Sequence, residues 1–298
     1  MYNQISANKK RTWVLIIIFI LFISALGYLI GFVTDYGNGI FVFAIAFSLL
    51  TALLGYYSGD KIALATSGAK EISKEQNPYV YRMVENLCIA NGMPMPKVYI
   101  IDSPAINAFA TGRDPKHSSI ALTTGSISRL ENEELEGVIA HELSHVKNYD
   151  IRLMMIVIVL VGTVSLLANW FFRVSFFGSR RSNDRGGGLS SILTIAGIIL
   201  IILSPLIAQL IKLAVSRKRE YLADASGALL TRYPEGLAKA LEKINADSQI
   251  MSNPNAATAH LYISNPFKNK GKFFSKMFST HPPIEDRIDK LRKMANNS

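Results

Sequence analysis

The chain has 298 residues, 49% of them hydrophobic, and its mean hydropathy is positive. Cys88 is the only cysteine, which excludes an intrachain disulfide and gives no indication of an oxidising compartment. The formal net charge is +10, but the basic residues cluster near apolar segments and form no stripe with interleaved aromatic residues. We therefore expect the chain to contact a lipid bilayer and not a nucleic acid.

Two apolar segments near the N-terminus predict a membrane hairpin. Residues 13–33 form a run of about 21 mostly apolar residues, roughly 31 Å of helix, which spans a bilayer core. A signal peptide is the alternative, but its apolar core is shorter and no clear cleavage site follows. Asp35 lies in a connection without Lys or Arg, and residues 40–57 form a second span. The positive-inside rule then places the N-terminus and the chain from Lys61 onward in the cytoplasm.

A polar connector, residues 58–76, precedes a predicted helix. Asn77 is suited to its N-cap and Pro78 to its first turn, while Gly92 is suited to its C-terminal end. Apolar residues at helical spacing place Cys88 in the core of the protein, so this thiol is not expected to be a nucleophile.

Two strands are predicted next, at residues 97–102 and 119–124. Between them, the sequence Asn107-Ala108-Phe109 predicts an edge strand or an extended loop. An edge strand can pair with a peptide substrate in extended form, and an ordinary hairpin rim is the other interpretation.

The sequence His141-Glu142-Leu143-Ser144-His145 lies in a predicted helix over residues 133–150, with Asn132 as its N-cap. Residues four apart lie on one face of a helix, so both imidazoles can bind one metal ion. Glu142 lies about 100° around the helix, where it can contact a water on that metal without being a ligand. This H-E-x-x-H pattern is typical of zinc peptidases and predicts one Zn²⁺ ion per chain, with Glu142 as general base.

A catalytic zinc usually has three protein ligands, and the best candidate for the third is Glu220. Asp224 lies four residues further along a predicted helix, on the same face as Glu220. One carboxylate can bind the metal while the other accepts the free N–H of a ligand histidine.

Two further apolar runs, residues 153–172 and 189–214, flank a basic, glycine-rich segment at 173–188. The runs could be transmembrane helices or a buried hairpin, and the arginines between them oppose an extracytoplasmic position. Since His145 and Glu220 must meet, the chain crosses the membrane twice or not at all between them. Helix lengths then place the metal about 10–15 Å from the lipid core, next to the membrane surface.

The C-terminal part is predicted to be soluble. An amphipathic helix is expected at residues 234–247, then a loop-rich stretch at 248–280 and a last helix after His281-Pro282-Pro283. The residues alone predict that His117, His260 and His281 are surface or loop histidines.

In this order, the motifs resemble the HtpX-type membrane zinc endopeptidases, distant relatives of the CAAX prenyl proteases. The resemblance covers nearly the whole chain and is carried by the N-terminal hydrophobic pair, Asn107-Ala108-Phe109, His141 to His145, two further hydrophobic segments, Glu220 to Asp224, His260 to Pro266, and Thr280-His281-Pro282-Pro283 through Arg287.

The resemblance implies zinc ligands at His141, His145 and Glu220 and a catalytic base at Glu142. It implies that Asp224 orients a ligand histidine. His281 and Arg287 resemble the family's C-terminal pair near the active site, and transition-state support by His281 is a hypothesis. The implied activity is cleavage of misfolded membrane proteins at the cytoplasmic face of the cell membrane during envelope stress.

These expectations describe a mainly α integral membrane protein with four hydrophobic segments and a helical zinc-peptidase domain that contains a small β-sheet. The predicted parts are a membrane hairpin (1–58), a first peptidase part (59–152), two hydrophobic segments with the basic loop (153–214) and a second peptidase part (215–298). Two alternatives are a CAAX-type protease of prenylated tails, which usually has more spans, and a non-catalytic membrane scaffold, which would not need Glu142.

Overall fold

The structure, a computed structural model, describes residues 2–34, 38–178, 216–252, 258–267 and 281–296. The described chain is mainly helical with one small sheet, as predicted. The predicted apolar run at 189–214 and most of the basic segment at 173–188 lie outside these residues.

Two long apolar helices, α1 (Tyr2–Thr34) and α2 (Asn38–Thr66), open the chain. Both are long and apolar enough to cross a membrane. Large apolar side chains point outward from them, such as Phe32 (76% exposed) and Phe43 (68% exposed). A bilayer would cover this surface. Helix α2 runs past the predicted end of the span, because Ala63 and Leu64 continue its buried face.

A four-stranded sheet has the order β1-β2-β4-β3, with β2 parallel to β4 and both outer strands antiparallel to their neighbours. The strands are β1 (Ala69–Glu71), β2 (Lys97–Ile101), β3 (Ala108–Asp114) and β4 (His117–Thr123). The predicted strands are found within two residues of their expected positions, except that β3 extends further. Strand β1 was not predicted, because it is three residues long and its side chains are exposed or half-buried.

Helix α3 (Pro78–Asn91) packs its predicted apolar face, including Cys88, into the main core. The Asn77 side chain accepts the Val80 N–H at 3.1 Å, and Gly92 ends the helix with a left-handed φ of 62°. Both ends therefore use the residues that the sequence indicated. The short helix α4 (Thr124–Arg129) follows β4.

Helix α5 (Asn132–Lys147) lies at the centre of the fold and is buried from Leu135 to Val146, except for Glu136. It is shorter than the predicted helix. Its N-cap is Glu131 instead of Asn132, and the Glu131 N–H donates to the Glu134 carboxylate. At the other end Tyr149 adopts a left-handed φ of 60°, so the chain turns before α6.

Helix α6 (Asp150–Gly178) covers the predicted apolar run at 153–172, and its first part packs between α1, α2 and the sheet. Leu153, Ile156, Val157 and Leu160 are buried in a cluster with apolar side chains of α1. The remaining described helices are α7 (Arg217–Thr231), α8 (Pro234–Ala246), a 3₁₀ turn (Ala259–Leu261) and α9 (Ile284–Asn296). Helices α7 and α8 pack directly on α5, and α9 packs on both of them.

Candidate metal centre

Three predicted ligands from two helices meet in the interior. The Nε2 atoms of His141 and His145 on α5 are 3.3 Å apart. Glu220 on α7 places its Oε1 3.5 Å from His145 Nε2 and its Oε2 3.8 Å from His141 Nε2. All three side chains are buried and form a group that could hold a metal ion. Ligands about 2.0–2.1 Å from one tetrahedral zinc lie about 3.3–3.4 Å from each other, close to these spacings.

The orientation of the two imidazole rings fits a bound cation. His141 Nδ1 lies 2.9 Å from Asp224 Oδ1, and His145 Nδ1 lies 3.0 Å from Asp150 Oδ2. The His145 Nδ1–H donates to Asp150, and His141 Nδ1 lies in ion-pair contact with Asp224, so both Nε2 atoms face the same space. Glu220 Oε1 is also buried without a hydrogen-bond partner in the described structure. A cation between these atoms would satisfy all three.

The charges around the site also fit a divalent cation. Four buried carboxylates, those of Glu142, Asp150, Glu220 and Asp224, face two buried guanidinium groups, those of Arg219 and Arg287. With neutral imidazoles, two negative charges remain. Burial alone would lower the pKa of His145, but Asp150, Glu220 and Glu142 raise it to about 9, so the site attracts positive charge.

Asp224 is held in place by Arg287 from α9. The guanidinium donates from Nε to Oδ2 at 2.9 Å and from its NH2 nitrogen to Oδ1 at 2.7 Å. Burial alone would raise the pKa of Asp224, but Arg287 and His141 lower it to about 2, which keeps the group ionised. Spacing along the helix predicted Asp224 near the site, whereas Arg287 was implied only by the family resemblance; the structure joins them in one chain of contacts, His141–Asp224–Arg287.

His281 contacts the third candidate ligand, with its Nδ1 2.7 Å from Glu220 Oε2. Burial alone would raise the pKa of Glu220, but His281, His145 and Arg287 lower it well below its usual range. The family resemblance placed His281 at the active site, and its position beside Glu220 agrees with that. It lies in the loop before α9, as predicted from the residues alone, but is half-buried and not on the surface.

Glu142 follows His141 on α5 and is 2% exposed. Burial raises its pKa, although the charges of His141 and His145 act in the opposite direction. A buried carboxylate with a raised pKa has the higher proton affinity that a general base needs.

Close contact between α5 and α7 brings Glu220 to the histidines. A Cβ atom built on Gly227 would lie 3.1 Å from the His141 backbone nitrogen and 3.3 Å from the Ala140 carbonyl carbon. The missing side chain at Gly227 therefore lets α7 lie against the turn of α5 that carries His141.

The strand predicted to bind substrate, β3, lies at the edge of the sheet, but the backbone of its first residue, Ala108, is already hydrogen-bonded. The Ile263 N–H donates to the Ala108 carbonyl at 3.0 Å, and the Asn107 side chain exchanges hydrogen bonds with the Ser264 backbone. Phe109 is fully buried, with its ring 5.0 Å from that of Tyr262. Substrate pairing at residues 107–109 stays a prediction, and it would require the segment at 262–264 to share this edge or move from it.

The other two histidines are not part of the ligand group. His117 is exposed, as predicted, and its Nδ1 is 2.8 Å from Asp114 Oδ1. His260, predicted as a surface or loop histidine, lies in the 3₁₀ turn of the loop-rich stretch but is only 2% exposed, so it is not a surface residue. Its Nε2–H donates to the Met154 carbonyl at 3.3 Å, and burial lowers its pKa to about 4, so it packs as a neutral ring.

Comparison with known proteins agrees with this site. The model of peptidase family M48 matches residues 74–295, which include both metal-site helices. The chain belongs to peptidase family M48. As an M48 peptidase with two apolar helices ahead of its catalytic domain, it is a membrane metalloprotease.

The relatives of this M48 chain match it along its whole length. A protein described as "Protease HtpX homolog" from Dictyoglomus thermophilum is 47% identical over 296 residues, covering 98% of this chain and 94% of the relative. A protein of the same description from Tropheryma whipplei strain Twist is 45% identical, with 99% of both chains covered. The crystal structure of S. mikatae Ste24p shares the fold, with a TM-score of 0.50 and 20% identity over 94% of this chain and 66% of that chain.

Proposed function

We propose that this M48 protease is a zinc-dependent endopeptidase that hydrolyses peptide bonds of membrane proteins at the cytoplasmic face of the cell membrane. The observation that carries the proposal is the meeting of the His141, His145 and Glu220 donor atoms in a buried, negatively charged site. Neutral imidazoles and one carboxylate, with carboxylates behind the rings, are the ligands that a catalytic zinc prefers.

In the proposed reaction the ligands hold one zinc ion per chain, and Glu142 moves the proton. Zinc held by His141, His145 and Glu220 would lower the pKa of a bound water to about 7 and polarise the substrate carbonyl. Glu142 accepts a proton from the attacking water and returns it to the leaving amine. A closed structural zinc site would not need this base, which argues against a non-catalytic scaffold.

His281 is proposed to support the transition state. Its Nδ1 is occupied by Glu220, while its Nε2 is buried and has no hydrogen-bond partner in the described structure. A donor in this position can stabilise the oxyanion that forms on the substrate carbonyl. Changing His281 to Ala should lower kcat by about 10²–10³-fold with zinc content retained, and unchanged turnover would remove the role.

The site is proposed to act close to the membrane surface. Asn8 of α1 lies one contact away from the metal centre, with its Nδ2 2.6 Å from Asp150. The apolar run begins five residues later at Trp13, about 7.5 Å along the helix. Such a site suits loops and ends of membrane proteins. Misfolded or damaged proteins, which expose these segments during stress, are therefore the proposed substrates.

A protease of prenylated tails is the second candidate function. The fold shared with Ste24p is compatible with it. We favour the first candidate because the relatives that match this M48 chain along its full length are described as HtpX homologues. Cleavage of a prenylated CAAX peptide but not of an unfolded membrane protein would reverse this preference.

The decisive experiment compares two variants of the detergent-purified chain. Glu142→Gln should retain one zinc per chain and lose about 10²–10⁴-fold in kcat on a casein-like or membrane substrate. Glu220→Gln should lose both zinc and activity. Glu136→Gln, a half-buried glutamate of the same helix as Glu142, is the matched control and should behave as wild type. Persistent cleavage by Glu142→Gln, or unchanged zinc content in Glu220→Gln, would refute the mechanism.

A further inference from the structure

The N-terminal helix α1 contacts the turn that follows the metal-binding helix. Asn8 of α1 is 1% exposed, although the next three residues, 9–11, are basic and exposed. A buried amide in this position is unexpected for the end of a membrane helix, because burying a polar group costs free energy unless it is hydrogen-bonded.

The Asn8 amide is hydrogen-bonded at both of its ends. Its Nδ2 donates to Asp150 Oδ1 at 2.6 Å and to the Asn148 carbonyl at 3.0 Å. Its Oδ1 accepts from an Arg219 guanidinium nitrogen at 3.2 Å. The other oxygen of Asp150 lies 3.0 Å from His145 Nδ1. A continuous chain of contacts therefore runs from α1 to the candidate ligand His145.

The conformation of the turn at residues 148–150 explains why Asp150 needs the contacts from Asn8. If α5 continued as a helix, Asp150 would lie about 140° around the axis from His145 and could not face its ring. The left-handed Tyr149 turns the chain so that Asp150 reaches His145 Nδ1. Lys9 lies 4.5 Å from the Tyr149 ring centroid. Consecutive residues of α1, Asn8 and Lys9, thus contact all three residues of the turn, 148–150.

We propose that Asn8 is a positioning residue for the metal centre. It holds Asp150, and Asp150 fixes the tautomer and orientation of His145. Because α1 continues from Asn8 into its apolar run, the seating of the membrane hairpin and the geometry of the metal site are linked through this side chain. The inference rests on the proposed role of His145 as a zinc ligand.

The test measures Zn²⁺ affinity by chelator competition in the full-length protein, together with kcat and KM. Asn8→Leu keeps the side-chain size and removes the amide. It should weaken Zn²⁺ binding about tenfold, which is at the lower end of the range for residues that hydrogen-bond to metal ligands. At sub-saturating zinc, kcat should fall while KM stays unchanged. Ser6→Leu, at an exposed position of the same helix, is the control and should match wild type.

A double-mutant cycle shows whether Asn8 acts through Asp150. Asp150→Asn alone should weaken Zn²⁺ binding more than Asn8→Leu, and the double variant should be no weaker than Asp150→Asn. Additive losses, or wild-type Zn²⁺ affinity in Asn8→Leu, would overturn the proposal. If Asn8→Leu does not fold, Asn8→Ala carries the same test. Failure of the proposed function is distinguishable, because the wild-type chain would then bind no stoichiometric zinc.

Discussion

At the scale of residues, the two candidate ligand histidines have matching support. His141 contacts Asp224, which contacts Arg287, and His145 contacts Asp150, whose Oδ1 lies 3.4 Å from Arg219 Nε. In both chains a buried carboxylate contacts the Nδ1 atom of the ring, and a buried guanidinium lies beside that carboxylate. The two chains explain how a site with so many acidic groups remains stable before it binds a cation.

The bidentate contact of Arg287 gives the first prediction. Arg287→Lys keeps the charge but loses one of the two parallel hydrogen bonds to Asp224. We expect about tenfold weaker Zn²⁺ binding, measured by chelator competition. Arg292→Lys on the same helix, whose ion pairs with Glu235 and Glu242 lie at the partly exposed surface away from the metal centre, is the control and should have no effect. Equal affinities of Arg287→Lys and wild type would show that Asp224 needs only a nearby charge.

At the scale of elements, the site depends on how closely α7 approaches α5. No side chain separates the helices at Gly227, and a similar contact at Gly137 lets α5 approach the first turn of α8. The ligand on α7 is therefore positioned by backbone contact, which leaves little freedom for adjustment.

The second prediction concerns this contact. Gly227→Ala places a methyl group against the backbone of His141, and α7 must move by a few tenths of an ångström. Stability should fall by about 1–3 kcal/mol, as for other overpacked sites, and Zn²⁺ affinity should fall with it. Gly162→Ala in α6, where nothing lies within 4 Å of the added atom, is the control. Thermal unfolding in detergent measures both variants, and equal melting temperatures would contradict the prediction.

Asp247, at the end of α8, joins that helix to the segment before the edge strand. Its side chain accepts the Ile106 N–H at 2.8 Å and pairs with Arg129 at 2.8 Å. Burial alone would raise the pKa of Asp247, but these groups and the Gln249 N–H lower it. The position of residues 107–109 therefore depends in part on a charged group outside the metal centre.

The third prediction follows from the sign of this pKa shift. A carboxyl whose pKa is lowered on folding stabilises the protein above its unfolded pKa of about 3.9, and the contribution is lost as the pH falls through the folded value. Asp247→Asn should cost about 1–2 kcal/mol at pH 7 and show a smaller loss of stability below pH 4 than wild type. Melting temperatures from pH 3 to 7 measure this, with the exposed Asp289→Asn as control. Parallel pH profiles of Asp247→Asn and wild type would refute it.

At the scale of the whole molecule, basic and aromatic side chains meet where α1, α2 and α6 approach the sheet. Arg113 lies 5.3 Å from the Tyr57 ring centroid, and Arg152 lies 5.6 Å from that of Tyr56 and 5.0 Å from that of Tyr149. Such residues concentrate at membrane–water interfaces. These arginine and tyrosine side chains lie at the end of the hairpin that contacts the metal centre. Their position supports a metal centre next to the lipid headgroups.

The fourth prediction concerns orientation. Cys88 is the only cysteine of the chain. It should not react with thiol reagents, because it is 2% exposed and burial raises its pKa to about 11. Single cysteines at the exposed Ser6 and Gly39 positions can therefore report topology. In intact cells an impermeant reagent should label Gly39→Cys but not Ser6→Cys, which should react only after permeabilisation. The reverse pattern would place the N-terminus and the metal centre outside the cytoplasm.

Features of this protein that depend on local geometry could be predicted from the amino-acid sequence. The spacing of His141 and His145 places both on one helix face, the spacing of Glu220 and Asp224 does the same on a second helix, and long apolar runs predict spans without knowledge of their neighbours. The ends of α3 were predictable for the same reason, since Asn77 and Gly92 act on adjacent backbone groups.

The distant residues that support the site became identifiable only from the packing of the helices. The contacts of Asn8 with Asp150 and of Arg287 with Asp224 join residues 142 and 63 positions apart, and no periodicity in the chain specifies them. The turn at Tyr149, the burial of His260 and the pairing of β1 depend in the same way on packing between elements. Local spacing therefore identified the candidate ligands, whereas the polar groups behind them follow from how the helices pack.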